Sequence, residues 1–303
     1  MSKTLPLIVM IASFALLTPG CGGGTPQGKS FSEQYQDAMK LSDGTQRARR
    51  LVAIAEKQHQ SGDLLGATSS LAAAKAAAYS VTGAASRASA LTVVAGGHAR
   101  LRQSQGEIKQ ILNDAAKAID EIKDADARVP ALADLAAFTG EHLKNPDLAA
   151  AHLKRAEESA AEISLPRTNV LAQSRIAAAY HKLNRPEEAN RVIGTMFELS
   201  RGQDDARQRA DCLAEVASTL EKMGQAEPSQ AAFAEAKKAA EEITPDDSHA
   251  YALLNIAKKT SAAKRKDEAR QLLSKAQDLA LKVQDTSVRN PLMEEIDAAI
   301  KAL

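Results

Sequence analysis

An aliphatic residue followed by Ala recurs at Ile54-Ala55, Val94-Ala95, Leu135-Ala136, Ile176-Ala177, Val216-Ala217 and Ile256-Ala257, with spacings of 40, 41, 41, 40 and 40 residues. A seventh position, Ile296, falls 40 residues later, with Asp297 in place of the Ala. A second column stands 17 or 18 residues after each anchor: Leu71, Leu112, Leu153, Ile193, Phe233 and Leu273. A third follows 3 residues beyond it: Ala74, Ala115, Ala156, Met196, Ala236 and Ala276. Three columns held in register over six units mark an internal repeat, and periods of this length belong to stacked arrays.

Each unit reads as two helices. Three residues before the anchor stand Leu51, Leu91, Leu132, Leu213 and Leu253, so the first helix carries one apolar stripe at helical spacing. The Ala after the anchor has little side chain and lets a neighbouring helix come close. Between the two helices lie Gly62-Asp63, Asn145-Pro146, Asn184-Arg185-Pro186 and Gly224, which supply turn and cap chemistry. A helix pair of this kind cannot bury its stripe alone, so units must stack. The expected fold is all-α: an α-solenoid of about six antiparallel helix pairs over residues 43–303, closed by a C-terminal capping helix.

A polar column stands seven residues before the anchor: Arg47, Arg87, Arg128, Asn169, Arg209, His249 and Arg289. Four of these have Asp four residues upstream (Asp43, Asp124, Asp205 and Asp285). Such an Asp suits the N-cap of the first helix and is spaced to pair with the Arg. The Arg in turn points toward the open carbonyls ending the preceding helix, where a cation is favoured. The other reading of the ladder is an anion-binding stripe.

The fourth unit resembles the tetratricopeptide family. Ile176, Ala177, Tyr180, Asn184, Ala189, Ile193 and Met196 fall without gaps on that family's Leu, Gly/Ala, Tyr, Gly, Ala, Phe/Tyr and Ala positions, and residues 179–189 are its most recognisable piece. The period is longer than that family's, its first Trp position is mostly Leu here, and the Pro closing its second helix is missing. Armadillo- and HEAT-like stacks share the period. The resemblance implies that the concave surface of the first helices binds extended peptides or partner helices. Carried over, those positions are Arg49, Glu56, His59, Arg100, Glu141, His181, Lys182, Asp211, Glu221, Lys222, Tyr251 and Lys258. Ala137, Gly140, Leu171 and Ala178 make the middle of that groove plainer, as for an apolar ligand segment.

Composition agrees. The 303 residues are 44% apolar and only 3% aromatic, with no Trp and 10 Pro, which suits a stack of Ala-rich helices better than one large core. Formal charge is +1, an even balance that does not point to nucleic acid. The six His show no metal-ligand spacing, and Gly96-Gly97-His98 lies inside a predicted helix, where the glycines permit close packing and do not cradle a phosphate. Neither enzyme chemistry, a cofactor nor a metal is expected.

Lys3 precedes an apolar run from Leu5 to Leu17, too short to span a bilayer, which ends in Thr18-Pro19-Gly20-Cys21. This junction resembles the lipobox of bacterial lipoproteins, although Thr18 and Pro19 depart from the usual pattern. The other reading is an ordinary secretory signal that contains a Cys. The resemblance implies a signal peptide over residues 1–20, a lipid on the Cys21 thiol and a lipid-anchored, periplasm-facing protein of the cell envelope. Residues 22–30 (GGGTPQGKS) read as a flexible tether, and Ser30 with Glu33 forms a capping box for a short helix ending before Asp43-Gly44. Cys212, the only other Cys, is expected as a lone buried thiol. The function expected is a membrane-anchored scaffold holding a partner protein or peptide; the alternative is a solute- or glycan-binding lipoprotein using the same groove. Replacing the lipid-bearing thiol, Cys21→Ser, should move the protein from membrane to soluble fractions or leave an uncleaved precursor. A wild-type chain recovered soluble and without lipid would refute the anchor.

Overall fold

A computed structural model of the chain describes residues 29–303; the signal segment, Cys21 and residues 22–28 of the tether lie outside the described residues. Among the described residues there are fourteen α-helices and no strand. A short helix, α1 (Phe31–Met39), leads into six pairs: α2 (Gly44–Gln60) with α3 (Leu64–Tyr79), α4 (Ala84–Arg100) with α5 (Gln105–Asp120), and α6 (Ala125–His142) with α7 (Pro146–Ala160). Then follow α8 (Pro166–Lys182) with α9 (Pro186–Arg201), α10 (Ala206–Lys222) with α11 (Ala226–Glu241), and α12 (Asp246–Ala262) with α13 (Lys266–Ala280). A single helix, α14 (Thr286–Lys301), closes the array. No described helix is long and apolar enough to cross a membrane.

The repeat columns are the core. Every anchor, every following Ala and every residue of the second and third columns is buried. Each first helix packs on its own second helix, on the second helix before it, and on the first helices of the units to either side. Successive second helices make no comparable contact. An array whose first helices approach closely while its second helices splay apart curves toward the first helices, which therefore line the inner face. The alanines and glycines permit that approach. A Cβ on Gly97 would lie 2.9 Å from both Val52 Cγ1 and Leu71 Cδ2, and one on Gly140 would run into Leu183 Cδ2.

Helix starts follow the expected cap chemistry. Ser30 and Glu33 form the capping box of α1, with the Ser30 amide donating to Glu33 Oε2 at 2.8 Å. Asp43, Asp124, Asp205 and Asp285 are the N-caps of α2, α6, α10 and α14. The expected Asp–Arg pairing does not form, because both groups are engaged elsewhere. The Asp carboxylates accept from amides of their own first turns, as Asp43 does from Thr45 at 2.8 Å and Asp205 from Gln208 at 2.7 Å. The cations turn back into the loop before the helix. Arg47, Arg87, Arg128, Arg209 and Arg289, with Asn169, each donate to the carbonyl six residues upstream: Leu41, Val81, Ile122, Gln203, Val283 and Ile163 respectively. Three of them also pair with a Glu at the end of the following second helix: Arg87 with Glu121 at 2.5 Å, Arg128 with Glu162 at 2.5 Å, and Arg209 with Glu242. The column is therefore a set of structural clamps, and its cations are satisfied within the fold.

The turn inside each pair has one recurrent feature that spacing did not reveal. Gly62, Arg102, Lys144, Asn184, Gly224 and Lys264 all sit at positive φ, between +51° and +86°. In each unit the amide after this residue reaches back to the last turn of the first helix, as Gln225 does to the Leu220 carbonyl at 2.9 Å. Only two of the six are Gly; at Arg102, Lys144 and Lys264 a side chain is held in a conformation that costs roughly 1–2 kcal/mol.

Ala177 tests the close approach of the first helices. Its side chain is fully buried, so Ala177→Leu should cost about 1–3 kcal/mol through overpacking, read as a lowered urea midpoint with helical content retained. An unchanged midpoint would mean that this column does not set the packing.

Candidate functional site

The inner face presents a cleft in each half of the array. The N-terminal cleft, of about 350 Å³, lies on α2, α4 and α6 and is lined by Arg49, Arg100, Asp134, Phe138, Glu141 and His142 among others. The C-terminal cleft, of about 270 Å³, lies on α8, α10 and α12; Arg167, Leu171, Asp211, Glu215, Asn255 and Lys259 line it.

Position relative to the anchor explains which side chains arrive there. In a helix, residues five before, one before, two after and six after a given position share one face. The residue one before the anchor is Asp134, Arg175, Glu215 and Asn255 in units three to six, where Ala53 and Val93 stand in units one and two. Two residues after the anchor, the second to fifth units carry small side chains or none: Gly96, Ala137, Ala178 and Ser218 keep the floor low.

The C-terminal cleft holds a connected polar network in its floor. Glu215, largely buried, pairs with Lys259 and accepts from Ser174 Oγ at 3.1 Å. Ser174 Oγ lies 2.8 Å from Thr219 Oγ1, which donates to the Glu215 carbonyl at 2.8 Å. Burial pushes the Glu215 carboxyl up, but the Lys259 ammonium and the Ser174 hydroxyl outweigh it and hold the group below the ordinary Glu range. One turn away Asp211, only 8% exposed, accepts from Asn255 Nδ2 at 3.3 Å and stands 3.7 Å from Arg167. Beside it the Cys212 thiol is buried and free, its pKa pushed up to about 11 chiefly by burial, so it stays protonated and unreactive. Above this polar floor Leu171 remains 44% exposed, an apolar surface that nothing among the described residues covers.

The N-terminal cleft is looser. Arg49 donates to Ser89 at 3.0 Å, and Arg100 pairs with Glu56 at 2.5 Å. Desolvation raises the Asp134 carboxyl above the ordinary Asp range, with Arg175 and Arg49 opposing. His142 packs on Phe138 with ring centroids 4.6 Å apart.

Of the twelve positions carried over from the repeat resemblance, Arg49, Arg100, Glu141, Asp211 and Lys258 line these clefts. Glu56 joins them through Arg100, while Lys258 also pairs with Glu295 at 2.9 Å. Tyr251 lies under the Arg207 guanidinium, 5.6 Å from the ring centroid. His59, His181, Lys182, Glu221 and Lys222 sit in the last turns of their helices and line neither cleft. Asp211 is buried and held by Asn255, and does not belong to a solvated surface. The sequence reading missed Ser174, Glu215, Asn255, Lys259 and Asp134. For Asp134, Glu215 and Asn255 a signal was present, as a polar residue immediately before a buried anchor. Among the described residues no group of three or more metal-ligating side chains gathers.

No family model and no curated protein matches the chain. Among solved structures, Ton1535 from Thermococcus onnurineus NA1 is 14% identical with a TM-score of 0.42, over 88% of this chain and 94% of that one. BtubC (BKLC) from P. vanneervenii is 13% identical with a TM-score of 0.37, over 83% and 91% of the two chains. At these scores the likeness says nothing of function.

Lys259→Met should leave the Glu215 carboxylate buried without its cation, at a cost of about 1–3 kcal/mol at neutral pH. In the wild type Glu215 has a depressed pKa, so its contribution is present above the unfolded Glu value and lost as pH falls through the folded one. In the variant, protonation relieves the unpaired charge. The gap between the two proteins should therefore narrow as pH falls below about 4.5, measured by denaturant unfolding across that range.

Proposed function

We propose that the chain is a tetratricopeptide-like lipoprotein of the bacterial cell envelope, anchored through Cys21, whose inner face holds an extended segment of a partner protein. The observation that carries this reading is the C-terminal cleft. Its polar floor (Ser174, Asp211, Glu215, Asn255 and Lys259) is fixed by internal bonds, while Leu171 stands exposed above it. A side-chain network held before binding loses little freedom when a ligand arrives. Fixed donors and acceptors beside one uncovered aliphatic surface suit a peptide strand or helix with an apolar side chain and polar backbone groups. Clefts of about 270 and 350 Å³, open and nearly free of aromatic rings, offer little enclosure for a small solute or glycan. The one thiol beside the cleft is held protonated by burial, which favours a binding role over nucleophilic chemistry.

A photo-reactive amino acid at Leu171, on the inner face, should cross-link a discrete partner in envelope fractions. The same probe at Glu198, exposed on the second helix α9, should not. Equal cross-linking from both positions, or from Glu198 alone, would refute the groove as the binding surface.

A further inference from the structure

The first helices end and the second helices begin along one edge of the array. At the first unit this edge carries Leu64 and Leu65, the first two residues of α3, which are 58% and 88% exposed. The other exposed leucines (Leu148, Leu165, Leu171, Leu281) stand singly, as surface leucines ordinarily do. On the same edge of the first two units stand Lys57 near the end of α2, Arg102 in the next turn and Lys109 in the first turn and a half of α5, which borders the cleft toward α7. All three are exposed and none forms an ion pair among the described residues. The acidic groups on this stretch are already engaged: Asp63 accepts from Gly66 N and Gln58 Nε2, and Glu107 pairs with Lys75. The edge of the first two units therefore presents two adjacent leucines and three cations without acidic partners among the described residues.

The chain enters the fold on the way to this edge. α1 packs on α2 across a four-residue connection, Lys40 to Asp43, which makes the two helices antiparallel neighbours. Followed back toward its N-terminus, α1 heads for the edge that bears Leu64 and Leu65. Lys29 is close enough to Arg50 to feel its charge, and from Arg50 to Gln60 the helix rises roughly 15 Å. The eight residues from 22 to 29 extend to at most about 29 Å. Reach alone allows a lipid on Cys21 to lie beyond either edge; the heading of α1 and the paired leucines select this one.

We infer that this edge of the first two units rests against the bilayer that holds the Cys21 lipid. Leu64 and Leu65 enter the boundary between headgroups and acyl chains, and Lys57, Arg102 and Lys109 face anionic headgroups. The inference rests on the anchored reading of Cys21 and adds an orientation to it. With the helix ends on the membrane, the groove opens sideways along the surface and not down into it.

The test uses the full lipidated chain in vesicles of phosphatidylethanolamine and phosphatidylglycerol carrying a headgroup-depth nitroxide lipid. A fluorophore is placed at Gln60→Cys on this edge or at Thr82→Cys on the opposite one; Cys212 is buried and does not compete for label. Mass spectrometry of the N-terminal fragment reports the lipid. Quenching should be several-fold stronger at position 60 than at 82. Leu64→Ser with Leu65→Ser should abolish the difference while the protein stays vesicle-bound and helical by circular dichroism. Equal quenching at both edges in a chain whose Cys21 carries lipid overturns the orientation and leaves the anchor standing. A Cys21 without lipid overturns both.

Discussion

The contact on which the rest of this structure depends is the close approach of successive first helices across a column of buried alanines. Alanine gives that column the best helix propensity and the least bulk at once. It lets Ala55, Ala95, Ala136, Ala177, Ala217 and Ala257 all vanish from solvent without a large side chain in the interface. Larger apolar residues stand on the second helices, where Leu71, Leu153, Phe233 and Leu273 are buried. Thin packing on one side and thick packing on the other bends the stack. The inner groove is thus a result of side-chain volumes, and its position on the first helices follows before any groove residue is chosen.

Two further devices hold the angle between units. The Arg column, with Asn169, pins every first helix but α12, and α14 as well, to the loop that precedes it and, in three units, to the end of the second helix that follows. A cation shared among loop carbonyls and a carboxylate at a helix end satisfies groups that are otherwise left open at helix termini. The left-handed turn residues act in the opposite sense. They keep the connection inside each pair to three or four residues, and at Arg102, Lys144 and Lys264 that shortness is maintained against backbone strain. Register across the array takes precedence over the local preference of the residue that occupies the turn.

Periodicity made the architecture legible because a repeat samples the same packing problem six times. A column that is apolar at Ile54, Val94, Leu135, Ile176, Val216 and Ile256 has one economical explanation, and all six are buried. Capping residues were equally readable, since Ser30, Asp43, Asp124, Asp205 and Asp285 act on amides two or three residues away. Long-range electrostatics were not. The partners of Arg87, Arg128 and Arg209 lie 33 or 34 residues downstream, and nothing local distinguishes them from the nearer Asp. The groove was legible only in part for a related reason. Positions taken by analogy located Asp211 and Arg100, but Ser174, Glu215 and Lys259 stand within three residues of an anchor at positions to which neither the stripe nor the resemblance gave a role. Their burial is tolerated because they satisfy one another, a property of the assembled helices and not of any one of them.

Every substantial tertiary contact in the array joins helices no more than two apart in the chain. Such connectivity gives the molecule a mechanical character. Tension applied between α1 and α14 passes through each interface in series, so compliances add along the stack and small changes of angle at each joint sum to a large change of end-to-end length. The array is in this sense a spring whose stiffness falls as units are added. A chain of six pairs can open or tighten its curvature to follow a bound segment while each individual interface moves by little.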